Sequence, residues 1–159
     1  HAGLSQATLF KYFKTKEDLL TAILHPVVPG LFDRFFEELL ALETTEEKVH
    51  YLVQNRMAYL KTNRALMKII LQEIFSNKKL RKEQLYIWNT LQDKLLVLHK
   101  ELIADSRVNP EITVPQMVRI FIGPLLAYFA QLYIVSDNSD IREEDLNLLE
   151  KQILGGLWK

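Results

Sequence analysis

The 159-residue chain contains no cysteine, few glycines and prolines (five of each), and as many acidic as basic residues, 20 of each. The absence of cysteine excludes disulfide bonds and thiolate metal sites, and it is typical of proteins of the reducing cytoplasm. A balanced total charge neither requires nor excludes a nucleic-acid partner, because binding depends on where the charge lies. These features predict a cytoplasmic protein and leave its partners open.

Catalytic and metal-binding patterns are also missing from the sequence. There is no Gly-rich phosphate loop, nucleophile elbow or Cys-His pair, and the four histidines have no metal-site spacing. The acidic pairs Glu37-Glu38, Glu46-Glu47 and Glu143-Glu144 are adjacent residues, which do not face each other on a helix. The sequence therefore predicts a protein that is not an enzyme, with no catalytic residues, no metal site and no cofactor.

Strand signals are nearly absent, since there is no sustained alternation and no Asn-Gly or Asp-Gly turn. Apolar residues instead recur every three or four positions, most clearly at Trp88, Leu91, Leu95, Leu98 and Leu102. Capping residues predict helix starts at Ser5, Thr15 (with Asp18), Thr44 (with Glu47), Thr113 (with Gln116) and Asp140 (with Glu143). Together these patterns predict an all-α protein.

The stretch 117–135 is almost wholly apolar and nearly long enough to span a bilayer. Arg119 and Gln131 lie inside it, and Gly123-Pro124 is expected to interrupt it. Polar residues in a bilayer are costly, whereas a helix that is apolar all round can be buried between its own core and a partner. The sequence therefore favours a buried helix over a membrane span.

The most informative segment runs from Ala2 to Leu20. Its pattern predicts a tight turn at Gly3, a short capped helix, a second turn and a second capped helix. Leu9 and Phe13 are four residues apart and can pack inward, so the polar residues of the short helix face outward. A helix that enters the major groove needs small and amide side chains near base edges, and hydroxyl and ammonium groups near phosphates.

This segment resembles the helix-turn-helix signature of the tetracycline-repressor (TetR) family. The matching residues are Gly3, Leu4, Ser5, Thr8, Leu9, Phe10, Tyr12, Phe13, Lys16, Glu17, Leu19 and Leu20. The resemblance implies that Gln6, Ala7 and Thr8 face the bases and that Tyr12 and Lys16 contact phosphates. The full set of expected DNA-binding residues is Ser5, Gln6, Ala7, Thr8, Phe10, Lys11, Tyr12 and Lys16. Phe10 departs from the tyrosine common in the family, and the alternative for the whole segment is an ordinary surface hairpin.

The resemblance also implies a fold and a domain division. In the family a helix and most of a second helix precede this segment, so we expect an N-terminally incomplete chain. Only a complete chain is then expected to bind double-stranded operator DNA well. Residues 1–24 would be the remainder of the DNA-binding domain with the start of a connecting helix, and residues 25–159 the ligand-binding and dimerisation domain. The expected fold is a truncated helix-turn-helix head followed by an antiparallel helical bundle of TetR C-terminal type.

The bundle is expected to bind a small effector, because it is rich in aromatic residues and because TetR-type proteins bind ligands between their middle helices. Expected wall residues are Tyr59, Trp88, Gln92, Phe121 and Tyr128. Candidate inward polar groups are Asn55, Arg56, Gln72, Glu73, Asn89 and Gln92. The effector itself is unknown and is expected to be largely apolar. The alternative is that these aromatic side chains simply fill the core.

The last two helices are expected to form a homodimer, because the 117–135 helix has more apolar surface than one core covers. Expected interface residues are Leu126, Phe129, Tyr133, Leu149 and Ile153, and the alternative is that they pack within one subunit. A two-fold dimer would place two recognition helices one turn of DNA apart. The predicted function is a transcriptional repressor whose operator affinity a small molecule controls. The rival interpretation is an all-helical dimeric interaction or lipid-binding module with no role at DNA.

Overall fold

The structure, a computed structural model, describes residues 15, 18, 22, 32–76, 78–136 and 140–159. Within them the chain is helical, and the only extended pairing is an isolated bridge between Val108 and Trp158. The prediction of an all-α protein is confirmed. The helices are α1 (32–40), α2 (Thr45–Thr62), α3 (Arg64–Ser76), α4 (Lys78–Ala104), α5 (Val114–Ala130), a π-helical segment (Gln131–Val135) and α6 (Glu143–Leu157).

Two predicted capping motifs set the starts of α2 and α5. The Thr44 hydroxyl accepts a hydrogen bond from the Glu47 amide at 3.2 Å, and the Glu47 carboxylate accepts one from the Thr44 amide at 3.0 Å. At the start of α5, the Gln116 side-chain oxygen accepts a hydrogen bond from the Thr113 amide at 2.7 Å. Both motifs satisfy amides that have no partner inside the helix.

The predicted start of α6 is wrong. The sequence pattern placed Asp140 as the cap, whereas the helix begins at Glu143 and Arg142 is its N-cap residue, without a side-chain capping bond. The physical reason is charge: three acidic residues occupy the first turn, where the helix dipole favours negative charge. Arg142 in turn pairs with Asp145 at 2.9 Å. This arrangement replaces a capping hydroxyl or carboxylate at the helix start.

The expected interruption of α5 at Gly123-Pro124 is also wrong, because the helix continues through Pro124 to Ala130. Proline lacks an amide proton and removes one backbone hydrogen bond inside a helix. The buried side chains of Phe121, Leu125 and Phe129 flank the proline and pack into the core. Burial of this apolar stripe on both sides of the proline holds the helix together.

One hydrophobic core joins the helices. Its buried side chains are Phe35, Phe36, Leu39, Val49, Leu52, Val53, Met57, Leu60, Leu95, Leu98, Leu102, Val108, Ile112, Met117, Phe121, Leu125, Phe129, Leu132, Tyr133, Leu149, Ile153 and Leu157. They come from α1, α2, α4, α5, α6 and the π-helical segment, and from the loop between α4 and α5. The predicted stripe of α4 reaches this core through Leu95, Leu98 and Leu102.

At one end of the bundle, Arg107 ties three elements together. Its guanidinium pairs with Asp105 at 2.7 Å, also pairs with Glu46 of α2, and lies 4.8 Å from the centre of the Trp158 ring. Asp105 also accepts a hydrogen bond from the Thr45 hydroxyl at 2.9 Å. These bonds from Arg107 lower the pKa of Asp105 well below its usual range. The end of α4 is thereby fixed beside the start of α2 and the end of α6.

Helices α5 and α6 form an antiparallel hairpin. The Tyr128 hydroxyl, near the end of α5, donates to Asp145 in the first turn of α6 at 2.8 Å. At the other end of the hairpin, Gly156 of α6 lies against Ile120 of α5. Glycine is needed at 156 for this approach, because a Cβ atom there would lie 2.9 Å from Ile120 Cγ2. Gly155 has no such neighbour within 4 Å.

This pair of glycines gives a matched test of the hairpin. We expect Gly155→Ala to raise the free energy of unfolding by up to about 1 kcal/mol, because alanine is the better helix former. Gly156→Ala is expected to lower it by about 1–3 kcal/mol, because the new methyl group meets the stiff β-branched Ile120. Urea unfolding of both variants at one protein concentration measures the difference. Equal effects at the two positions would contradict the close approach of α5 and α6.

Candidate functional site

The expected DNA-binding residues lie outside the described residues. They are Ser5, Gln6, Ala7, Thr8, Phe10, Lys11, Tyr12 and Lys16. Of the segment that resembles the helix-turn-helix signature, the structure describes Thr15 and Asp18. The Thr15 hydroxyl accepts a hydrogen bond from the Asp18 amide at 3.1 Å, as the capping pattern predicts. The DNA-binding role of this segment therefore stays a prediction.

The expected ligand-wall residues lie on three helices, with Tyr59 on α2, Trp88 and Gln92 on α4, and Phe121 and Tyr128 on α5. Phe121 is buried in the core, and Gln92 is exposed on α4, so its side chain faces solvent rather than a cavity. Tyr128 is half-buried and holds α6 through its hydroxyl. Of Trp88 the structure describes the backbone, which lies in α4. The ligand-wall role of these residues stays a prediction, because helical spacing does not tell a cavity wall from the core or the surface.

Tyr59, the fifth expected wall residue, belongs to a cluster of aromatic rings around Arg56. The central carbon of the Arg56 guanidinium lies 3.9 Å from the centre of the Phe35 ring, and 5.6 Å from the centres of both Phe32 and Tyr59. Phe35 also stacks on Tyr51, with ring centres 5.7 Å apart and planes inclined by 20°. Helices α1 and α2 thus enclose one cation among rings, an arrangement we call the Arg56 cage (Phe32, Phe35, Tyr51, Asn55, Arg56 and Tyr59).

A chain of hydrogen bonds fixes the polar atoms of the Arg56 cage. The Asn55 side-chain oxygen accepts from Arg56 Nε at 3.1 Å and also from its Nη2, while the Asn55 amide donates to the Tyr51 hydroxyl at 3.0 Å. Tyr51 in turn donates to Glu38, whose carboxylate pairs with Arg34 at 2.7 Å. These hydrogen bonds run without a gap from Arg34 through Glu38, Tyr51 and Asn55 to Arg56.

The electrostatics of the cage leave one charge without an opposite. Hydrogen bonds from Tyr51 and Arg34 lower the pKa of Glu38, and burial together with the bond to Glu38 raises the pKa of Tyr51 to about 12. Burial lowers the pKa of Arg56, which nevertheless stays protonated at neutral pH. Glu38 is balanced by Arg34, whereas Arg56 forms no ion pair with any described residue. The site is therefore a half-buried cation whose charge could be balanced by a bound anion.

The sequence predicts part of this site. Asn55 and Arg56 were candidates for inward polar groups, and Tyr59 was an expected wall residue. Phe32 and Phe35 were not singled out, because their contact with Arg56 depends on how α1 packs on α2. The signal that was present is spacing: Arg56 lies midway between Leu52 and Leu60, which are both buried. An arginine on the buried stripe of a helix indicates a partner for its charge, because burying an unpaired charge is costly.

Four of the five expected interface residues are buried within the subunit. Phe129 and Ile153 have no exposed surface, and Tyr133 and Leu149 are also buried. Leu126 alone of the five is half-buried. The burial of Phe129, Tyr133, Leu149 and Ile153 supports the alternative that they pack within one subunit, and their role in an interface stays a prediction. The dimer itself stays a prediction.

The α5–α6 hairpin still presents apolar side chains outward. Ile122 and Ile134 are 46% and 47% exposed, Leu148 is 54% exposed, and Val135 is also exposed. We call these four residues the outer face of the hairpin. The other exposed large apolar residues among those described are Ile69, Leu96 and Val97. Four of the seven therefore lie on the last two helices and the π-helical segment, where a partner was expected.

The stretch Val114–Val135, which combines α5 with the π-helical segment, is long and apolar enough to cross a membrane. Length and composition alone support this, and the core helices of soluble proteins satisfy the same criterion. In the bundle, 28% of its most apolar window is buried. Its outer surface is thus available to another apolar partner, whether a protein or a lipid.

The π-helical segment also carries an unsatisfied hydroxyl. The Tyr133 hydroxyl is buried and has no hydrogen-bond partner among the described residues. The centre of its ring lies 5.0 Å from that of Phe129. A buried polar group without a partner costs about 1–3 kcal/mol, and π-helical segments are often found at functional positions. Nothing in the sequence distinguished this tyrosine from a core-filling aromatic residue.

A concave feature lies at the other end of the hairpin. It is an open groove of about 390 Å³ lined by Ile112, Gln116, Arg119, Ile120 and Gly156. Its openness and mixed lining distinguish it from the enclosed, mostly apolar pockets that hold small molecules. Among the residues that the structure describes, no group of three histidine, aspartate or glutamate side chains is placed to hold a metal ion. The Arg56 cage is therefore the more specific candidate site.

Comparisons of the chain with models of protein families, with curated proteins and with solved structures found no match.

Proposed function

We propose that the chain is the sensing and dimerising part of a one-component transcriptional regulator of the TetR type. The observation that carries this proposal is the segment from Ala2 to Leu20, in which turn, caps, aromatic residues and lysine follow the helix-turn-helix signature together. An all-helical bundle follows this segment, as the same resemblance implies. A DNA-reading head joined directly to a helical sensor is the organisation of a one-component regulator.

The proposal assigns dimerisation to the α5–α6 hairpin. Its outer face exposes Ile122, Ile134, Val135 and Leu148, and exposed apolar patches on soluble proteins commonly mark interaction sites. A two-fold interface uses the same patch on both copies. Such a dimer spaces two recognition helices for the two halves of a palindromic operator.

The proposed mechanism is allosteric. A small molecule bound in the bundle favours one of two dimer states, which differ in the spacing of their DNA-reading heads. The helix that begins after Thr15 joins the head to the bundle, so its tilt is the proposed coupling element. The ligand changes operator affinity only by as much as its own affinity differs between the two states.

The test is selection of a DNA site from random duplexes, using the protein expressed from the first codon of its gene. We expect a palindromic site to be enriched. Gln6→Ala is expected to relax the preference for one base in each half-site by roughly tenfold or more. Lys16→Ala is expected to weaken binding to all sequences alike and to reduce the dependence on salt, because it removes a phosphate contact.

Lys14→Ala is the matched control for Lys16, since it removes the same charge two residues away from a position outside the expected DNA-binding set. It should change affinity less than Lys16→Ala at equal salt concentration. Failure to enrich any palindromic site would contradict the proposed DNA role. So would a Gln6→Ala protein with unchanged base preference and an unchanged affinity.

The second candidate function is an all-helical interaction or lipid-binding module without a role at DNA. The observation that favours it is the apolar stretch Val114–Val135, with its exposed side chains at Ile122 and Ile134. Co-flotation of the protein with neutral phosphatidylcholine vesicles, together with no DNA selection, would support this candidate. A protein that stays with the soluble fraction and selects a palindrome would exclude it.

A further inference from the structure

We infer that the Arg56 cage is a subsite for an organic monoanion, a carboxylate attached to an apolar body. This inference rests on the proposed sensor function for its regulatory meaning, and it names the class of effector. The ligand's carboxylate would meet the Arg56 guanidinium, and its apolar part would lie along the rings of Phe32, Phe35 and Tyr59.

The donors of Arg56 supply the first reason. A guanidinium has five N–H groups in a planar fork that fits a carboxylate. Two of them point to the Asn55 oxygen, from Nε and from Nη2. No described residue accepts a hydrogen bond from the other three. Stacking on Phe35 covers a face of the guanidinium and leaves the N–H edge for bonds in its own plane.

Charge supplies the second reason. Half-buried cations are normally paired, because taking a charge from water is costly. Arg56 has aromatic rings within 6 Å but no carboxylate partner among the described residues, although Glu38 is on the adjacent helix. Glu38 is already engaged by Arg34 and Tyr51, so it is not the missing partner. A bound carboxylate would complete the pair.

The same charges argue for a single negative charge on the ligand. Arg34 and Glu38 balance each other, which leaves one positive charge in the cage. A carboxylate balances that charge, whereas a dianionic phosphate would leave a second negative charge without a partner. Phosphate sites usually supply several cations or backbone amides. The rings around Arg56 add apolar contact area, which favours a ligand with a hydrocarbon or aromatic body.

The experiment compares three probes that share a hydrocarbon chain and differ in the head group: octanoate, 1-octanol and octyl phosphate. Isothermal titration calorimetry on the wild-type chain is expected to show octanoate binding at least about tenfold more tightly than 1-octanol. Arg56→Met, which keeps an apolar stem in the cage, is expected to bind octanoate and 1-octanol alike. Arg56→Lys keeps the charge without the fork and is expected to retain part of the preference.

Arg119→Met is the matched control, because it removes an exposed arginine of α5 and should leave the preference for octanoate unchanged. If Arg56→Met does not fold, Arg56→Gln removes the charge while keeping a hydrogen bond to Asn55, and it gives the same comparison. Three results would overturn the inference: no octanoate binding, equal affinity for octanoate and 1-octanol, or a preference that survives at Arg56→Met. Tighter binding of octyl phosphate than of octanoate would overturn the choice of a monoanion.

A last measurement separates this inference from the proposed function. Operator affinity is measured with and without octanoate on the protein expressed from the first codon of its gene. Octanoate bound through Arg56 without any change in operator affinity would leave the subsite standing and contradict the regulatory role. Selective operator binding by a protein that does not bind octanoate would support the proposed DNA-binding function and contradict the Arg56 subsite.

Discussion

Replacing Phe129 with alanine is expected to lower the free energy of unfolding by about 3–5 kcal/mol. Phe129 has no exposed surface and is the largest fully buried side chain among the residues whose burial the structure describes. Its ring lies 5.0 Å from that of Tyr133, so the truncation removes both buried apolar area and an aromatic contact. Because the surrounding helices close the resulting cavity only in part, the loss exceeds the transfer free energy of the ring alone.

Urea unfolding followed by circular dichroism measures this effect, and thermal unfolding should show a fall in Tm of roughly 6–20 °C for a chain of this size. Phe129→Leu is the control and should lose a smaller part of the stability, since leucine fills much of the same space. Measurements at two protein concentrations separate subunit stability from association. A Phe129→Ala protein of unchanged subunit stability that no longer dimerises would return Phe129 to the interface.

The second large effect is expected on the outer face of the hairpin. If α5 and α6 join two copies, Ile122→Glu and Leu148→Glu should each raise the Kd of the dimer by at least about a hundredfold. A carboxylate buried in an apolar contact without a partner costs several kcal/mol, and two-fold symmetry introduces it twice. The free energy of unfolding of each separate subunit should change little, because both positions are about half exposed within it.

Analytical ultracentrifugation over a range of concentrations measures the dimer Kd. Val97→Glu on α4 is a close control, since Val97 is 45% exposed and Ile122 is 46% exposed. It introduces the same charge at the same exposure on another helix. A wild-type chain that is monomeric at all concentrations would contradict the dimer. A Val97→Glu variant that dissociates while Ile122→Glu does not would move the interface to α4.

Phe129→Ala and Ile122→Glu lie seven residues apart on α5 and are expected to affect different properties, the stability of the subunit and the association of two subunits. Phe129→Ala weakens the subunit, and Ile122→Glu leaves the subunit intact and separates two copies. The difference arises because Phe129 lies on the stripe of α5 that also carries Phe121 and Leu125, whereas Ile122 lies outside that stripe. Comparing the two variants shows whether the apolar side chains of α5 stabilise the core, bind a partner or do both.

Local chemistry made much of the fold readable from the sequence. The capping pairs Thr44 with Glu47 and Thr113 with Gln116 act between residues three apart, so their partners are already determined along the chain. The stripe through Leu95, Leu98 and Leu102 follows from helical periodicity in the same way. The predicted helix start at Asp140 was wrong, because the acidic residues of the first turn favour a start at Glu143. The predicted break at Gly123-Pro124 was wrong, because packing of α5 into the core outweighs the backbone hydrogen bond lost at the proline.

The sequence by itself determined the helical class, the starts of α2 and α5 and the resemblance of residues 2–20 to a DNA-reading motif, because these depend on neighbours within one or two helical turns. Only the tertiary structure decided which apolar side chains face inward. On a helix that is apolar on most sides, the residues that face the core and those that face a partner recur at the same spacing, so the sequence pattern does not separate them. It therefore moved Phe129 and Ile153 into the core and left Ile122 and Leu148 outside. It also brought Phe32 and Phe35 to Arg56, since a contact between residues about 20 positions apart depends on the packing of α1 against α2.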